Sequence, residues 1–152
     1  EIQIFGHEHT DTFRLVGHKS VMFTAPALST AYPRGNPTVR LWHTEAATGD
    51  LVDFTQYHMD LLVSNLRHVA LFQKSYSFLD EFGLPDMGRT SVETLLKRFN
   101  SQIGEQNASK GSYERARYFF LRSTPVSAQP ACDTWCQIQD LCDRKFSGIT
   151  DT

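Results

Sequence analysis

No stretch of this 152-residue chain stays apolar for the roughly 20 residues that a membrane-crossing helix requires. An excess of positive charge is missing too: 15 Lys and Arg stand against 17 Asp and Glu, for a net charge of -2. That balance offers no electrostatic grip on nucleic acid or on an anionic membrane surface. Repeats and low-complexity tracts are absent. The opening "EIQIFGHEH" has neither the basic segment nor the apolar stretch of a secretory leader, which decides nothing about compartment. What remains is an ordinary globular composition, 40% hydrophobic and 21% charged, with enough residues for one domain and a true core.

Cysteine is scarce, and none precedes Cys132. The three crowd into "ACDTWCQIQDLCD" as Cys132, Cys136 and Cys142. Their spacing does not match the paired short spacing of zinc ribbons, although a thiol or metal cluster stays open for a reducing compartment. An i, i+4 pair at a helix start holds its Cα atoms roughly 6 Å apart, within disulfide reach. A Cys132–Cys136 bridge is therefore favoured, and Cys142 is left seeking a mate. "NAS" at Asn107 fits an N-glycosylation sequon, a pattern that alone carries little weight for secretion, whereas proline disqualifies "NPT" at Asn36.

The hydrophobic period divides the chain. Residues 1–60 read as short strands with turn punctuation: "EIQIF" closed by Gly6, then "DTFRLV" and "SVMFTA" joined by "GHK" as a hairpin. "PRGNP" is a loop, and "TVRLWHT" and "DLVDFTQY" flank "EAATG" as a second hairpin. Across 61–152 the period is expected to turn helical. "RTSVETLLKRF" offers Thr90 and Glu93 as a capping box, with Val92, Leu95, Leu96 and Phe99 as one apolar face and Gly104 as a C-cap. "SYERARYFFLR" is a second helix candidate, and the cysteine segment a last short one. The fold class is α+β.

Gly-His-x-His beyond a strand is a metal-site pattern. A tight turn at the carboxyl end of a strand points side chains into the crevice where α/β proteins hold ligands. A spacing of two lets His7 and His9 approach one ion or straddle two, and neutral imidazole suits zinc, iron or manganese. Asp11 is placed to accept a hydrogen bond from one ring and fix its tautomer. The alternative is a pair of turn histidines without a ligand. His18, His43, His58 and His68 read as surface or partly buried polar residues.

"FGHEHTDTF" resembles the last metal-binding motif of the calcineurin-like metallophosphoesterases. Beyond it come "APALSTAYPRGNPTVRLW", "TGDLVDFTQY", "FGLP" and the Cys-x3-Cys-x5-Cys tail. That order resembles the acid sphingomyelinase-like phosphodiesterases over nearly the whole chain. The resemblance implies the carboxy-terminal end of the catalytic β-sandwich over 1–60, part of a four-layer α/β fold. A helical, disulfide-stapled subdomain would follow over 61–152. It implies a hydrolase that uses two zinc ions, roughly 3.5–4 Å apart, to activate water against a phosphodiester, with other divalent metals open. His7 would ligate one ion and His9 the other. Tyr32 and Asn36 would belong to the substrate pocket wall, and Cys142 would pair with a later cysteine.

The family's other metal ligands precede this motif, and six residues here leave no room for them. A four-coordinate ion needs more than two histidines can give. The expectation is therefore a fragment, inactive alone, whose partner is the missing amino-terminal part of the same catalytic domain. Its compartment would be secreted or lysosomal, and its substrate a phospholipid head group such as that of sphingomyelin, or a nucleotide-like phosphodiester. Two competitors remain: a non-catalytic interaction module that kept only the end of the fold, and an unrelated small metal-binding protein.

Overall fold

Alternating β-branched and aromatic residues between glycine turns build two small sheets. The structure, a computed structural model, describes residues 1–30 and 35–100. In the first sheet, β1 (Ile2–Phe5) runs parallel to β3 (Ser20–Thr24), and β2 (Thr12–Val16) pairs antiparallel on β3's other side, giving the order β1-β3-β2. The β2–β3 hairpin turns at Gly17, whose φ of +50° suits a residue without Cβ. The second sheet is an antiparallel meander of β4 (Thr38–Thr44), β5 (Leu51–Met59) and β6 (Phe72–Ser77). Both hairpins fall where the turn residues place them.

The sheets meet through aromatic rings. Phe23 of β3 packs edge-on against Phe54 of β5 at 5.9 Å and Trp42 of β4 at 6.4 Å. Phe78 and Phe82, on the short helix α2 (Phe78–Phe82), enter the same cluster. The helix α3 (Arg89–Asn100) closes it from the first sheet's side. Val92, Leu95, Leu96 and Phe99 form its apolar face as expected, and all four are buried. Phe99 reaches Phe13 of β2 at 6.4 Å. Among the described residues the architecture is α+β, as read from the sequence, with a third helix, α1 (Leu61–Arg67), lying between β5 and β6.

α1 buries none of its residues. Two expectations need correction. The period does not turn helical for good at residue 61: β6 follows α1 and pairs with β5 from Met59↔Phe72 to Thr55↔Ser77. An exposed edge strand with polar Gln73, Lys74 and Ser75 shows little hydrophobic alternation, which is why the run hid. Thr90 and Glu93 do not form the capping box. Arg89 already lies in α3, Glu93 pairs with Arg89 at 2.7 Å, and Asp86 instead accepts from the Gly88 N–H at 2.8 Å and the Ser91 hydroxyl at 2.7 Å. Tyr32, Gly104, Asn107, Cys132, Cys136, Cys142 and the helix candidates beyond residue 100 lie outside the described residues.

Candidate functional site

The histidine pair occupies the loop from Gly6 to Thr10 that joins β1 to β2. Its entry is held by sheet pairing: the Ala25 N–H donates to the Phe5 carbonyl at 2.9 Å. Within the loop, His7 has φ +78° and His9 φ +57°. Residues with a Cβ rarely enter this left-handed region, at a cost of about 1–2 kcal/mol each. Histidine tolerates it better than bulky or branched residues do. His68 also has positive φ, but it is the C-cap of α1, where that conformation is common. No such cap accounts for His7 and His9. His7 is exposed and His9 half-buried.

The loop's exit is held from the opposite sheet. Asp11 is 2% exposed, and its Oδ2 lies 2.6 Å from Arg40 Nη2 on β4. The Tyr76 hydroxyl, on β6, donates to the same oxygen. Arg40 in turn donates through Nε to Gln56 Oε1 at 2.8 Å, and its guanidinium lies 3.8 Å from the Phe54 ring centroid and 5.3 Å from that of Trp42. Gln56 Nε2 donates to the carbonyls of Val39 and Tyr57, both at 3.2 Å. The ion pair with Asp11 is close but poorly aligned for a hydrogen bond, and Arg40 Nη1 has no hydrogen-bond partner among the described residues. The positive charge is therefore compensated by one carboxylate and two aromatic faces.

Arg40 and Tyr76 were not singled out in the sequence. A signal for Arg40 was there: it stands between Thr38 and Trp42 on the strand face that turns inward, where a charge demands a partner. Asn36 is 8% exposed, and its Oδ1 accepts from the Leu61 N–H at 3.0 Å, while Asp60 accepts from Val63 N at 3.0 Å. Between them they satisfy two of the open donors at the start of α1. His43 bonds Thr55 Oγ1 at 2.8 Å and His58 bonds Ser75 Oγ at 2.7 Å, both as ordinary polar side chains; His18 sits exposed in its turn.

Two imidazoles are the right donor type for zinc but too few for a closed site. Among the described residues no group of three or more His, Cys, Asp or Glu side chains comes together to hold an ion. The loop therefore fits as one part of a donor set. Among the described residues, no helix is long and apolar enough to cross a membrane.

No family model matches the chain. Curated proteins do. The chain is 30% identical to acid sphingomyelinase-like phosphodiesterase 3b of Homo sapiens over 92% of its own length and 31% of that protein's. It is 26% identical to sphingomyelin phosphodiesterase 1 of Caenorhabditis elegans, over 99% of the chain and 26% of that protein. It is 23% identical to the cyclic GMP-AMP phosphodiesterase of Mus musculus, over 92% and 32%. The chain is thus homologous to a segment of the acid sphingomyelinase-like phosphodiesterases, and it spans about a third or less of the length of these relatives.

Proposed function

We propose that this chain supplies the carboxy-terminal portion of a zinc-dependent phosphodiesterase, with His7 and His9 as two of its metal ligands. The observation that carries the reading is the pair of left-handed backbones at these two residues. Side-chain-bearing residues persist in such conformations where surrounding structure over-determines them, and these places cluster at functional sites. The homology to phosphodiesterases supplies the reaction class. His7 and His9 would hold part of a metal centre, which when bound would supply activation of water and neutralisation of phosphoryl charge. The chain's own task is to present the two imidazoles from a fixed loop, with Asp11 orienting one of the rings.

Tyr32 and Asn36 would line the substrate wall, and the substrate would be a phosphodiester of either lipid or nucleotide type, as the names of the relatives allow. A Cys132–Cys136 bridge and glycosylation at Asn107 belong to the same reading, which puts the protein in a secreted or lysosomal setting. Zinc content of a longer protein that carries this segment together with the remaining ligands tests it. His7→Ala and His9→Ala should each lower the bound zinc, while alanine at His18, His43, His58 or His68 should leave it unchanged. Zinc content unaltered by the first two changes would remove the metal assignment. In a longer protein carrying this segment, His9→Ala should abolish hydrolysis of bis-nitrophenyl phosphate. Zinc bound there without hydrolysis would transfer the chain to the class of binding modules.

A further inference from the structure

We infer that Arg40 is a positioning residue for the histidine loop, acting from the opposite sheet through Asp11. This inference rests on His7 and His9 being metal ligands. Only five residues, Gly6 to Thr10, separate the last β1 residue, Phe5, from Asp11. One end is tied to β3 by the Phe5 carbonyl, and the other is tied across the core by the Asp11 carboxylate. A loop that short, with two residues in a costly left-handed conformation, stays ordered only while both ends are fixed.

The exit anchor is unusually well braced. Asp11 takes its partners from two different strands of the second sheet, Arg40 of β4 and Tyr76 of β6. Gln56, which is fully buried on β5 between them, holds Arg40 Nε and is itself held by two backbone carbonyls. All three strands of one sheet therefore fix a carboxylate two residues from His9. The buried charge gives this arrangement its stiffness. A guanidinium over Phe54, enclosed away from water, has no favourable place to go other than against Asp11. Groups that hydrogen-bond a metal ligand set its orientation, and losing one costs about ten- to a hundredfold in metal affinity. Arg40 acts one step further out, through Asp11 and the loop backbone, so its loss should lie at the lower end of that range.

Zinc affinity at His7 and His9, read from their ring resonances in a longer protein that carries this segment and the remaining ligands, tests the assignment, with thermal melting measured alongside. Arg40→Met should weaken zinc binding by about tenfold well below its melting temperature, and Arg40→Lys should recover part of the loss. Tyr76→Phe removes only a hydroxyl and decides the matter should Arg40→Met not fold; it should weaken binding several-fold. In the metal-free chain, the backbone resonances of Gly6 to Thr10 should broaden or shift in both variants. A role confined to fold stability predicts lower melting temperatures with unaltered zinc affinity and an unaltered loop. That result would overturn the inference while leaving the metal ligands in place. Zinc binding that survives His7→Ala and His9→Ala would instead remove the metal reading itself.

Discussion

Phe54 and Phe78 stack with ring centroids 5.2 Å apart and planes inclined by 27°, in a cluster whose other pairs are mostly edge-on or tilted. Phe78 also meets Phe13, Phe23 and Phe82 at 5.2–5.7 Å, so it joins strands of both sheets to α2. Truncation to alanine would leave a void that these rings cannot collapse into without losing one another. Phe78→Ala should lower unfolding free energy by about 3–5 kcal/mol, measured by urea titration. Phe78→Leu, which retains most of the volume, should cost about 1.5 kcal/mol or less. Equal costs would mean that ring stacking, more than volume, holds this centre.

Asp86 braces the turn that leads into α3. Its Oδ1 accepts from the Gly88 N–H and the Ser91 hydroxyl, so Asp86→Ala should cost about 1 kcal/mol, the scale of a lost hydrogen bond. Glu93 serves only in a partly exposed pair with Arg89. Glu93→Gln should therefore change stability by about 0.5 kcal/mol or less. A reversed order would restore the capping box that Thr90 and Glu93 suggest in the sequence.

Gly83 closes α2 with φ +58° as its C-cap, and the space where a Cβ would project is open. Substitution there costs conformational energy and no steric clash. Gly83→Ala should destabilise by about 1 kcal/mol, and Gly83→Asn by less than half of that, since asparagine enters the left-handed region more readily. Gly88 behaves differently, because an added Cβ would sit 2.9 Å from Asp86 Oδ1 and press on the turn into α3.

These positions mark how far the sequence could be read. Periodicity locates β2, β3 and the apolar face of α3, and Gly6, Gly17, Pro26 and Gly49 punctuate the strands from β1 to β5. β6 escaped because its exposed portion carries no alternation, and Asp86 escaped because it stands three residues before α3 and reaches it through the Gly88 N–H and the Ser91 hydroxyl. The histidine motif was legible because its residue types and spacing carry chemistry by themselves. Its brace was not. Asp11, Arg40 and Tyr76 are separated by up to 65 residues, and only packing one sheet on the other brings them together.

The same loop yields a prediction in which stability and function part. His7 is exposed, and its φ of +78° carries the cost of a Cβ in the left-handed region without the shelter of a helix cap. Glycine takes that conformation freely but brings more entropy to the unfolded chain. The two effects partly offset, and His7→Gly should raise stability by about 0.5 kcal/mol, a fraction of the roughly 1–2 kcal/mol of backbone strain relieved. Zinc binding at the loop should weaken at the same time. A residue that costs folding energy where it stands is retained for something other than folding. Should His7→Gly instead destabilise by about 1 kcal/mol or more, the imidazole would be making contacts that the fold needs, and the left-handed backbone would no longer argue for a ligand.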